Sequence, residues 1–120
     1  MGTQESEAQS LPLPALDAGR GLDMEEWELH RTAHAVKAMA HPLRLRLLCL
    51  IGGGEVSVQE LTNRVEQTSQ SNVSQHLAHM LERGVLGNRK RGNQVLYRIR
   101  DQRVLSLMVA MRSVFCHESH

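Results

Sequence analysis

The 120-residue chain is short of aromatic residues and of cysteine, and each shortage excludes something. Trp27, Tyr97 and Phe115 are its only aromatics, too few to form the stacking platforms on which single-stranded nucleic acid is held. Packing must therefore rest on Leu, Val and Met. Cys49 and Cys116 stand far apart, and there is no C-x-x-C pair and no βαβ pattern, which speaks against a thiol oxidoreductase. No apolar run approaches the roughly 18 residues of a membrane span, and the N-terminus lacks the apolar centre of a signal peptide. A cytoplasmic protein with no membrane partner is expected. The run Gly52-Gly53-Gly54 has neither the following Lys-Ser/Thr nor the preceding strand of a P-loop, so it reads as a linker. With no Ser-His-Asp cue and no paired catalytic carboxylates, neither an enzyme nor a cofactor is expected.

What the chain does have is a globular share of apolar residues, 41%, in a length that suits one modest domain. Its net charge of +1 hides an asymmetry. Residues 1–30 carry seven acids (Glu5, Glu7, Asp17, Asp23, Glu25, Glu26 and Glu28) against Arg20 alone. The remainder is basic, and residues 88–103 gather Arg89, Lys90, Arg91, Arg98, Arg100 and Arg103 against only Asp101. Clustered positive charge fits a polyanionic partner, although a solvated surface can look the same.

Residues 1–22, rich in Ser, Gln, Pro and Gly, read as a flexible tail, and residues 23–120 as the domain. Asp23, followed by Glu25 and Glu26, is the expected cap of a first helix running to about Ala40. His41-Pro42 breaks it, and a first-turn proline opens a second helix, Leu43 to Ile51. Ser57, with Glu60 three residues on, forms a capping box for a third helix to about Val65. A fourth runs to about Arg83, with Gly84 as its C-cap. Two strands between Leu86 and Ile99 and a last helix from Asp101 to about Cys116 complete the order ααα-α-ββ-α, mainly α with a small hairpin.

The fourth helix is unusual in its surface. Val73, Leu77, Met80 and Leu81 recur at helical spacing, which leaves Ser71, Asn72, Ser74, Gln75 and His79 around the rest of it. A solvated helix would carry Glu and Lys there. These shorter groups both donate and accept hydrogen bonds, as reading base edges in a major groove requires. Ser71, Asn72, Ser74, Gln75 and His76 lie in its N-terminal half and are the candidate base-reading set. The hairpin that follows turns at Gly92-Asn93. Arg89, Lys90, Arg91 and Asn93 at its tip are candidates for phosphate or minor-groove contact. Helix plus basic hairpin is the profile of a winged helix-turn-helix.

Four segments in order then resemble the ArsR/SmtB family of bacterial transcriptional repressors. They are Lys37-Ala38-Met39-Ala40-His41-Pro42-Leu43-Arg44-Leu45-Arg46-Leu47-Leu48, Ser57-Val58-Gln59-Glu60-Leu61, Ser71-Asn72-Val73-Ser74-Gln75-His76-Leu77 and Tyr97-Arg98-Ile99. The resemblance spans roughly residues 30–116. It implies a homodimeric winged helix-turn-helix joined through its first and last helices, each recognition helix entering one half-site of an inverted-repeat operator in double-stranded DNA. It also implies an inducer. Members that bind metal through cysteines at the third helix are not matched, since Glu55-Val56-Ser57-Val58-Gln59-Glu60-Leu61 contains no thiol. Members that bind zinc on the last helix begin it Asp-x-His, whereas here Asp101-Gln102-Arg103 puts a guanidinium in place of the imidazole. No metal site is expected, and His30 with His34, or His117 with His120, remain the fallback pairs.

The two cysteines are similar in placement to those of the sulfide- and persulfide-responsive (SqrR/BigR/HlyU-like) branch, which has one on the second helix and one in a Phe-Cys ending on the last. That resemblance implies redox sensing by Cys49 and Cys116, with a di-, tri- or tetrasulfide bridge releasing DNA. Arg46 one turn before Cys49, and Arg112 and His117 near Cys116, favour the reactive thiolate. The C-terminal end of a helix works against it at Cys116. Without the family, a buried small hydrophobe is the ordinary reading of a cysteine flanked by Leu47, Leu48, Leu50 and Ile51. A repressor answering to metal, arsenite or haem, and an architectural DNA protein without a discrete site, are the other readings of the same sequence.

Overall fold

The structure, a computed structural model, describes residues 21–116. The expected tail therefore lies almost wholly outside the described residues, as do His117 and His120. Five helices and three strands follow one another as α1 (Glu26–Met39), α2 (Pro42–Ile51), β1 (Glu55–Ser57), α3 (Val58–Arg64), α4 (Gln70–Glu82), β2 (Leu86–Arg91), β3 (Gln94–Ile99) and α5 (Gln102–Phe115). Two details differ from the sequence reading. Helix α1 starts at Glu26, not just after Asp23: Glu28 reaches back to accept the Glu25 N–H at 2.8 Å, so the reciprocal cap forms two residues later. The sheet has a third strand, because β1 pairs antiparallel with β3 (Glu55 opposite Arg98, Val56 opposite Tyr97, Ser57 opposite Leu96) and gives the order β1-β3-β2.

Local chemistry sets the other boundaries. His41 caps α2 with its ring, Nδ1 accepting the Leu43 N–H at 3.0 Å, and Pro42 occupies the first turn where no N–H is needed. Ser57 caps α3 by accepting the Glu60 N–H at 3.1 Å, and Ser69 caps α4 by accepting that of Asn72 at 3.0 Å. Helix α4 closes in a Schellman motif: Val85 N–H donates to the Met80 carbonyl and Gly84 N–H to that of Leu81, with Gly84 at φ +80°. At the hairpin tip Gly92 has φ +65° and Asn93 does not have positive φ, the II′ pattern of a two-residue turn.

The core forms where α2, α3 and α4 meet the sheet. Leu47, Leu48, Leu61, Val73, Leu77, Met80, Val85 and Leu86 are fully buried, each large side chain contributing on the order of 1.5–3 kcal/mol. Helices α1 and α5 take little part in it. Among the described residues α1 buries only Ala38 and Met39 at its end, and α5 only Val104. Their outer faces present Trp27, Leu29, Val36, Val109, Val114 and Phe115 to solvent, the last 79% exposed.

Candidate DNA interface and the two thiols

Helix α4 buries Val73, Leu77 and Met80 against the core, so its opposite strip, Ser71, Gln75 and Ala78 at i, i+4 and i+7, faces outward. The five candidate base readers divide accordingly. Ser71 and Gln75 are exposed. Ser74 is half-buried. Asn72 is half-buried too, and its side-chain amide donates to the Thr68 hydroxyl at 2.8 Å, tying the helix to the turn before it. That turn contains Gln67 at φ +65°, the one non-glycine residue with positive φ among those described.

His76 is held from within the protein. Its Nδ1 accepts the Arg44 Nε–H at 3.2 Å, and its ring lies 4.3 Å from that of His41, tilted by 40°. Arg44 also donates through Nη1 to the Ala38 carbonyl at 2.9 Å, so one guanidinium joins the end of α1, helix α2 and the recognition helix. With Nδ1 accepting, neutral His76 carries its proton on Nε2. Burial, then the charges of His41, Arg44 and His79, hold its pKa below the ordinary histidine value. Neither Arg44 nor His41 was singled out for function in the sequence, because nothing local signals a contact across 32 positions.

The wing divides in the same way. Arg89 grips Glu55 with both arms of its guanidinium, Nε to Oε2 and Nη2 to Oε1, each 2.8 Å, and so fastens β2 to the opposite edge strand. That hydrogen bonding holds the Glu55 carboxyl below its usual range, and the charges of Arg89, Arg98 and Arg91 act in the same direction. Lys90, Arg91 and Asn93 are exposed at the tip and enter no salt bridge with a described residue. The exposed strip of α4 and the wing tip together offer uncommitted donors, acceptors and cations, which is what a duplex requires of a protein surface.

Both cysteines are free and exposed. The alternative reading of Cys49 as a buried small hydrophobe fails on helix geometry: Leu47, Leu48 and Ile51 turn inward, which leaves Cys49 on the outer face of α2. Cys116 is the C-cap of α5, its N–H donating to the Arg112 carbonyl. At the other end of that helix Asp101 accepts from the Arg103 backbone at 3.0 Å and from its guanidinium at 2.9 and 2.8 Å. Arg103 thereby occupies the carboxylate as well as replacing an imidazole. Among the described residues no three His, Cys, Asp or Glu side chains gather closely enough to hold a metal ion. His30 pairs instead with Glu26 at 3.4 Å. No helix of the described residues is long and apolar enough to cross a membrane.

Known proteins are similar to this chain in sequence and in fold. A family described as a helix-turn-helix domain matches residues 39–86. The HTH-type transcriptional regulator YgaV of Escherichia coli is 36% identical over 87 residues, covering 72% of this chain and 87% of that protein. The structure of HlyU from Vibrio cholerae superposes with a TM-score of 0.73 at 33% identity, over 78% of this chain and all of the other. That of the transcriptional repressor BigR from Xylella fastidiosa does so at 0.71 and 31%, over 78% and 94%. In sequence and in fold, this chain belongs to the ArsR/SmtB family of winged helix-turn-helix transcriptional regulators, in the branch of HlyU and BigR.

Proposed function

We propose that the protein is a homodimeric repressor whose two α4 helices occupy successive major-groove half-sites of an inverted repeat, and that bridging Cys49 to Cys116 releases it. The observation that carries the DNA reading is the division within the interface. Asn72, His76 and Arg89 are bound up with the protein, while Ser71, Gln75, Lys90, Arg91 and Asn93 point outward and make no side-chain hydrogen bond or salt bridge with a described residue. Ser71 and Gln75 read base edges, with half-buried Ser74 at the rim, and Lys90, Arg91 and Asn93 follow the phosphates. Dimerisation is supported by the apolar outer faces of α1 and α5, which a second copy would cover.

The exposure of both thiols supports the switch, since a sensor must be reached by its signal. A cysteine thiolate attacks a sulfane sulfur of a polysulfide, forming Cys–S–S⁻ and expelling the shortened polysulfide. The second thiolate then attacks the inner sulfur, closing a disulfide and releasing hydrosulfide. Where both residues have been persulfidated, the same displacement closes a trisulfide. The bridge ties α2 to α5 and draws the two recognition helices off half-site spacing.

The test follows DNA binding by reduced protein before and after polysulfide. Reduced protein binds, treated protein releases, and the new disulfide or trisulfide bridge is found within one chain. Cys49→Ser and Cys116→Ser each bind in reductant and fail to release. Release by both variants would overturn the dithiol switch, and zinc titration of the same samples then decides for or against the histidine pairs.

A further inference from the structure

We infer that His76 is a positioning residue for DNA binding: as a neutral imidazole it locks the recognition helix to α2 through Arg44, so acidification loosens the lock and weakens the complex with DNA. The inference rests on α4 being the helix that enters the groove, and it removes His76 from the base-reading set.

The geometry is specific. His76 sits on α4 three residues from the core residue Val73 and next to Leu77, half-buried, with its Nδ1 lone pair committed to Arg44 Nε–H at 3.2 Å. Arg44 cannot release its proton, so it can only donate. The contact therefore exists only while Nδ1 is unprotonated. The groups around the ring offer a second proton no compensation. From α2 and its cap come Arg44 and the His41 ring at 4.3 Å, the latter already accepting the Leu43 N–H. No charged group of α1 is among those that bear on His76, and the Ala38 carbonyl at its end is held by Arg44. From α4 itself comes His79, on which Arg44, Arg83 and Glu82 also act. The charges that bear on His76 are His41, Arg44 and His79, and no carboxylate is among them. Protonation would set two donors nose to nose and place a cation beside the guanidinium.

The sign follows. A histidine disfavoured from protonation in the docked state binds its proton more readily once α4 shifts or unfolds, so the docked arrangement is fully favoured above the ordinary histidine value and loses ground as the pH falls below it. A histidine that touched phosphate or a base acceptor would behave in the opposite way, gaining affinity in acid.

The experiment measures the affinity of full-length protein for a duplex selected from a random pool, in reductant, between about pH 7.5 and about pH 5.5, for wild type and for His76→Asn. Asparagine presents an acceptor near the Nδ1 position and does not titrate. Wild type should lose affinity severalfold as the pH falls below the ordinary histidine value, and His76→Asn should show a clearly shallower profile. A wild-type slope retained in His76→Asn, or a wild-type affinity that rises on acidification, would overturn the inference. Imidazole nitrogen shifts of the free protein give a readout independent of DNA: His76 should carry its proton on Nε2, and a proton on Nδ1 overturns the lock whatever happens on DNA. A protein with the Nε2–H form that binds no duplex would refute the DNA reading, and the coupling with it, while the contact itself stood.

Discussion

Arg91→Ala separates a wing that touches DNA from one that merely carries charge. Arg91 ends β2 opposite Gln94, exposed beside the Gly92-Asn93 turn and outside any salt bridge with a described residue; the Glu55 carboxylate feels its charge but is gripped by Arg89. Arg89, two positions earlier, is already neutralised by the bidentate Glu55 contact. A phosphate contact contributes about 0.9 to the slope of log K against log salt, and a dimer has two wings, so losing Arg91 should flatten that slope by about 1.8. Over a roughly fourfold rise in salt this amounts to about tenfold less affinity lost than in wild type. Arg89→Ala should change the slope by well under half as much, because the cation it removes is spent on a carboxylate. Anisotropy of a labelled duplex over a salt series measures both variants. Equal slopes for wild type and Arg91→Ala would refute the phosphate contact, and a larger change for Arg89 than for Arg91 would refute the division of labour within the wing.

Gln75→Ala should cost about 1–3 kcal/mol on the operator and much less on random duplex, since a base contact is specific where a phosphate contact is not. A loss of equal size on both sequences would take Gln75 out of base reading. Gln67→Gly should stabilise the fold by about 1 kcal/mol in urea unfolding, as glycine adopts the left-handed backbone at φ +65° without the steric cost of a side chain, part of which is returned as glycine's greater unfolded-state entropy. A destabilised variant would show that Gln67 is not strained there.

What was legible in the sequence is what neighbouring residues decide among themselves. Ser57 with Glu60, Pro42 after His41, Gly84 behind an apolar stripe and the Gly92-Asn93 turn each act within a few positions, and the structure has the corresponding boundaries. The missed features join distant segments. Three residues of β1 have no strand signal of their own and become a strand only by pairing with β3, Glu55 opposite Arg98. Within the candidate interface, periodicity separates the buried face of α4 from the rest, but it does not reveal that α2 delivers Arg44 onto His76 or that Thr68 engages Asn72. The same limit hid the Glu55–Arg89 pair, which turns one of four wing-tip candidates into a structural tie. For Cys49 the flanking leucines suggested burial, and the helical rotation between Leu48 and Cys49 decided otherwise.

The split between tied and untied side chains on one surface sets where this protein can diverge. Replacing Arg44, His76, Asn72, Arg89 or Glu55 disturbs a contact between two elements, so a change at one demands a matching change at another. Ser71, Gln75, Lys90 and Arg91 have no such partner among the described residues, and each can be exchanged alone without disturbing the scaffold. Duplicated copies of such a gene could therefore drift apart in the sequences they prefer through single substitutions at Ser71 and Gln75, and in overall affinity through Lys90 and Arg91, each intermediate still folded.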